Sequence, residues 1–135
     1  MTEVYRIEDL NVGDEIWIST EINRGFRRLG TMYKKRKVER ITPKKTKLID
    51  SAGVTHDRYT AFYKSLDNEM KARMQLTAAK VRICDAEYMA SILWNKASHL
   101  SNNDLLQIGN LCKDFVEGVE EILEKTENKN KQKES

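Results

Sequence analysis

Eleven cationic side chains fall within 24 residues: Arg24, Arg27, Arg28, Lys34, Lys35, Arg36, Lys37, Arg40, Lys44, Lys45 and Lys47, with Glu39 the one acid among them. Phe26 and Tyr33 stand between them. Phosphates draw affinity from cations of this kind, and an aromatic face can stack a base. The arginines add planar forks suited to bidentate contacts. These side chains form the candidate surface for nucleic acid or another partner. The charge is segregated: residues 24–47 carry +10, residues 1–23 carry −5 and residues 48–135 carry −2, so the net +3 understates the local field. Two other readings fit the same run. An acidic protein surface would also meet it, and lysines commonly guard exposed strand edges.

Other chemistry finds little support. His56, Cys84, His99 and Cys112 are far apart in the chain, with no close-spaced pair of Cys or His, so no metal site is expected. Neither histidine neighbours a nucleophile in a recognisable context. The glycines are scattered singly, and Gly25 and Gly30 flank Phe26–Leu29 without the Lys-Ser or Lys-Thr of a phosphate loop. The expectation is a non-enzymatic protein without cofactor. No apolar run approaches the ~18 residues of a membrane span. The start, Met1–Arg6, has no apolar leader, and two cysteines do not make a disulfide scaffold. A cytoplasmic location is expected.

The elements that must carry the cations change character near Leu66. With 135 residues, 39% hydrophobic and 33% charged, the chain can build one modest core. Residues 1–65 read as strands over Glu15–Ser19, Tyr33–Thr42, Thr46–Asp50 and Val54–Tyr59. Turns are expected at Asn11–Asp14, Pro43–Lys45 and Ser51–Gly53. On the second strand Lys35, Lys37 and Glu39 point one way and Lys34, Arg36, Val38 and Arg40 the other. Residues 66–126 read as helical. Asp67 can cap a helix carrying Met70, Met74, Ala78 and Val81, and Asp85 a second with Tyr88, Met89, Ile92 and Leu93. One helix across 66–82 and 86–99 is the alternative, since no Gly or Pro intervenes. Ser101–Asp104 resembles a capping box. After it Leu105, Ile108, Cys112, Phe115, Val119 and Ile122 repeat at alternating steps of three and four, a stripe expected to be buried within the chain. Residues 127–135 have no apolar side chain and are expected to be a disordered tail.

The order Leu10-Asn-Val-Gly-Asp-Glu-Ile16, then Val38-Glu-Arg-Ile-Thr42, Thr46-Lys-Leu-Ile-Asp50, Gly53 and Arg58-Tyr59 resembles small SH3-like β-barrels of phage and mobile-element proteins. The likeness covers about the first half of the chain. It implies a binding barrel and carries no catalytic residue across. The expected fold is α+β: a small antiparallel SH3-like barrel over 1–65, two or three packed helices over 66–126, and the tail. The expected function is binding of nucleic acid, or of the nucleic acid in a nucleoprotein complex, through segment 24–47. The alternative is a phage-type inhibitor of a host or defence protein, anti-CRISPR-like or anti-restriction-like, acting by protein–protein contact. No membrane partner is expected, and the oligomeric state is open.

Overall fold

The structure, a computed structural model, describes residues 3–134. It divides into two compact units, one ending at Glu87 and one beginning at Tyr88.

The first unit is built around a long hairpin. Strand β2 (Glu15–Arg24) and strand β3 (Arg27–Ile41) pair antiparallel from Glu15↔Lys37 to the tip at Arg24↔Arg27. Short strands flank its base: β1 (Val4–Tyr5), β4 (Lys47–Asp50), β5 (Thr55–Asp57) and β6 (Phe62–Tyr63). The sheet order is β1-β6-β2-β3-β4-β5, so β1 and β5 are edges and the six antiparallel strands do not close. The fold is thus α+β, with an open sheet where a closed barrel was expected. The sheet nevertheless curls: the His56 ring on β5 meets the Phe62 ring on β6 edge to face at 5.7 Å. Inside the curl lies a core of Ile7, Leu10, Ile16, Val38, Leu48 and Phe62. Ile7 comes from a 3-10 turn, Ile7–Asp9, which the strand pattern did not reveal.

Only the base of the hairpin has strand neighbours. β6 pairs with Trp17 and Ile18, and β4 joins β3 from Val38 onward. The outer part is held by helix α1 (Asn68–Ala97). Asp67 caps it, its carboxylate accepting the Met70 amide at 2.8 Å. The Thr77 hydroxyl lies 3.0 Å from the Thr31 carbonyl and 2.8 Å from the Arg73 carbonyl, and its one proton serves these two acceptors. Met70 and Thr77 are buried, with Met74, Ala78 and Val81 half-buried along the same face. A bulge between Ile22 and Asn23 leaves Leu29 outside the register and buried. Beside it Gly30 has φ +145°, and a Cβ there would collide with the Thr77 hydroxyl. Asp85 caps nothing: α1 is one uninterrupted helix, because nothing between 82 and 86 breaks it.

The second unit holds the end of α1, a turn over 98–101 and helix α2 (Asn102–Glu134). Ser101 caps α2, accepting the Asp104 amide at 3.1 Å. Ile92, Leu93, Ala97, Leu100 and Ile108 are half-buried. The rest of the α2 stripe is exposed, Phe115 at 59% and Cys112 with it, contrary to the buried seam expected. Tyr88, Met89 and Trp94 are exposed as well. The periodicity described an amphipathic helix correctly, but it did not specify a surface to cover it. The expected disordered tail is also corrected: α2 continues through it to Glu134, and Ser135 lies outside the described residues. Lys, Glu and Gln are good helix formers, and no Gly or Pro follows Gly118 to stop the helix.

Two expectations follow. Gly30→Ala should cost roughly 3 kcal/mol, from a disfavoured backbone region plus local overpacking, and Thr77→Ala should recover part of it in a double-mutant cycle read by urea unfolding. Additive effects would show that the two positions do not touch. Phe115→Ala should change stability by less than about 0.5 kcal/mol, as befits an exposed position; a loss near ~3 kcal/mol would mean that the ring is covered.

Candidate nucleic-acid interface

The register of β2 on β3 sorts the cations by face. Ile16↔Arg36, Ile18↔Lys34, Thr20↔Met32 and Ile22↔Gly30 share the face that turns into the curl. Trp17↔Lys35, Ser19↔Tyr33 and Glu21↔Thr31 share the other. Tyr33, proposed as a stacking platform, is only 6% exposed. Its ring stands edge to face with Tyr63 at 6.0 Å, and its hydroxyl accepts from Arg73 Nη1 at 3.4 Å. A ring enclosed in this way cannot receive a base, so Tyr33 leaves the candidate surface. Phe26 stays: it is fully exposed at the hairpin tip, next to Gly25 at φ +60°.

The structure then divides the cations into two groups. Near the tip they are neutralised. Arg27 makes a two-pronged contact with Glu87, Nη2 to Oε1 at 2.9 Å and Nη1 to Oε2 at 3.2 Å, and Nη1 also lies 3.7 Å from Cys84 Sγ. The Glu87 hydrogen bonds raise its already high pKa further, with Cys84 contributing. Arg24 lies 3.8 Å from Asp85, and Arg28 Nε donates to Glu21 at 2.9 Å. The Arg28 hydrogen bond and then the Thr31 hydroxyl hold the Glu21 carboxyl below its usual range. At the base of the hairpin Lys35 pairs with Glu15 at 3.0 Å, and its hydrogen bond and charge lower the Glu15 carboxyl in the same way. These pairs are solvent-exposed, so each adds little stability. Their effect is to cancel charge.

Lys34, Arg36, Lys37, Arg40, Lys44, Lys45 and Lys47 have no carboxylate within 4 Å among the described residues. They run along the second half of β3, around the β3–β4 turn and onto β4. Lys45 holds the left-handed conformation in that turn, at φ 56°, its amide donating to the Thr42 carbonyl at 2.8 Å. The tip and this turn lie at opposite ends of a strand whose contour is roughly 45 Å at ~3.3 Å per residue. The candidate residues therefore form a paired tip and a free strip, and do not gather into one patch.

Beside the strip lies a buried carboxylate that does not belong to the cationic run. Asp50, at the end of β4, is fully buried. Its Oδ1 accepts the amides of Ala52 at 2.8 Å and Val54 at 3.1 Å, and its Oδ2 lies 2.7 Å from His56 Nε2. Burial pushes this carboxyl up. The His56 hydrogen bond, the Val54 and Ala52 amides and the charge of a protonated His56 together outweigh it, and the net shift is downward. The available signal was the spacing: an Asp opening a Ser-Ala-Gly turn with a His six residues on can accept the turn amides and meet the His across the hairpin. Among the described residues no three His, Cys, Asp or Glu side chains gather as a metal site, and no helix is long and apolar enough to cross a membrane. Comparison with protein-family models, curated proteins and solved structures finds no match for this chain.

Because the folded carboxyl of Asp50 is depressed, its contribution to stability is fully present above the unfolded value of about 3.9 and is lost as pH falls through the lower folded value. Asp50→Asn should flatten the acid limb of a stability-versus-pH curve below about pH 4. Asp50→Ala, which strands two amides and the imidazole, should cost about 3–5 kcal/mol. An unchanged acid limb in Asp50→Asn would show that other carboxylates set it.

Proposed function

We propose that this protein is a non-enzymatic binding protein for nucleic acid, alone or within a nucleoprotein complex, and that the free strip from Lys34 to Lys47 supplies its phosphate contacts. The observation that carries this reading is the division of the cations. Acids lie within 4 Å of Arg24, Arg27, Arg28 and Lys35, while among the described residues the other cations of the segment have none that close. Structural charge guards need no such concentration, whereas counterion release rewards it. A second reading, a phage-type inhibitor that docks on a host or defence protein, is favoured by the exposed apolar stripe of α2.

Fluorescence anisotropy with DNA and RNA across a salt series tests the first reading. Joint reversal of Lys37, Lys44, Lys45 and Lys47 to Glu should weaken binding more than ~100-fold with the fold intact, whereas Arg27→Ala with Arg28→Ala should change it less than ~3-fold. If all seven free cations met duplex phosphates, the slope of log K against log salt would reach about −6, and each Lys→Ala should reduce it by about one. No binding of DNA or RNA by the wild type at low salt would refute the proposal for the isolated protein. Capture of a protein partner that survives nuclease and salt would then favour the second reading.

A further inference from the structure

Two clefts open on the inward face of the β2–β3 hairpin, and both are lined by Lys34. The first, about 330 Å³, has Ile18 at its floor, Lys34 and Arg36 on the β3 side, and His56 and Thr60 opposite. The second, about 390 Å³, has a floor of Ile22, Met32, Ala78 and Val81, with Arg24 and Arg82 joining Lys34 at its rim. Each is within the size of small-ligand pockets. The register places Ile18, Ile22, Met32, Lys34 and Arg36 on one face in succession, so the clefts follow one another along a trough. Its length is roughly 20 Å, six residues of strand at ~3.3 Å each. One acid lies at each end. Asp50 is closed off by its two amides and His56, with 1% of its side chain exposed, and Asp85 already faces Arg24.

We infer that this trough is a binding channel for a single nucleic-acid strand. The inference rests on the nucleic-acid reading above and narrows it to one form of ligand. In a duplex the bases are stacked inside and phosphates face outward, so a convex cationic surface would suffice and an apolar floor would gain nothing. Here the second cleft sets Arg24, Lys34 and Arg82 around apolar Ile22, Met32, Ala78 and Val81, and the first continues it with Lys34 and Arg36 beside Ile18. An extended strand can lay its phosphates on Lys34, Arg36 and Arg82, while unstacked bases bury apolar surface against Ile22, Met32 and Val81. The outer lysines of the β3–β4 turn supply charge to any polyanion, whereas the trough distinguishes strands from duplexes.

The test compares a fluorescent 12-nucleotide DNA of mixed, non-self-complementary sequence with its 12-base-pair duplex at one moderate salt concentration. The wild type should bind the single strand at least ~10-fold more tightly. Lys34→Glu with Arg36→Glu should reduce single-strand affinity by ~30-fold or more and duplex affinity less, so that the preference collapses. Met32→Glu should do the same, and Met32→Gln, which adds no charge and keeps the size, should erode the preference without loss of fold. Arg28→Ala, outside the trough, should leave it in place. Equal or tighter duplex binding, or a preference that survives the trough substitutions, would overturn the channel while leaving the polyanion reading standing. Competition by polyglutamate as effective as unlabelled single strand at equal charge would also overturn it. Binding of neither DNA form would remove both.

Discussion

The central constraint in this molecule is a mismatch of strand lengths. β2 and β3 run ten and fifteen residues, while β4, β5 and β6 run four, three and two. A ribbon of two strands is marginal in water and leaves unpaired backbone groups along its edges. The short strands cover only its base. The outer part needs another partner, and α1 supplies it through Thr77 at the Thr31 carbonyl, Arg73 at the Tyr33 hydroxyl and Glu87 at Arg27. The close approach explains Gly30, whose missing Cβ leaves room for the Thr77 hydroxyl.

That arrangement also decides the electrostatics. The acids of α1 and of β2 lie where the tip cations are, so Arg24, Arg27 and Arg28 are matched. Beyond Lys35 the ribbon leaves the helix and joins β4, a strand with no exposed acid to offer: its one carboxylate, Asp50, is turned inward and fully engaged. The free strip is thus a consequence of which element covers which stretch of β3. Asp50 has a second effect. By taking the amides of Ala52 and Val54 it shapes the β4–β5 turn, and by holding His56 it keeps that ring against Phe62 and forms one wall of the first cleft.

The second unit follows a different logic. α2 has an apolar stripe at heptad-like spacing, yet from Leu111 to Leu123 the large hydrophobics are exposed. Exposed surface of this kind contributes nothing to the stability of the chain. The fully buried side chains accordingly lie in the curled sheet and the part of α1 that holds the hairpin, and the second unit keeps only the half-buried contacts of Ile92, Leu93, Ala97, Leu100 and Ile108.

Much of this was legible in the residues, and the divisions follow physical range. Alternation in Glu15–Ser19, the turn at Ser51–Gly53 and the caps at Asp67 and Ser101 are local: backbone geometry and neighbours a few positions away determine them. The same local information marked the cation run and the amphipathic helix α2. It could not decide whether α1 was one helix or two, since a capping residue is equally tolerated inside a helix that nothing interrupts. What the tertiary structure alone decided depends on partners far away in the chain. Arg27 is neutralised by a glutamate sixty residues on, Tyr33 is enclosed by Tyr63 and Arg73, and the Phe115 face of α2 meets no cover. Spacing along a strand assigns side chains to two faces, but which face turns inward is determined by register and curl. For that reason the sequence by itself determined the kind of surface, a concentrated cationic strand, and only the folded chain determined which of its charges remain free to bind.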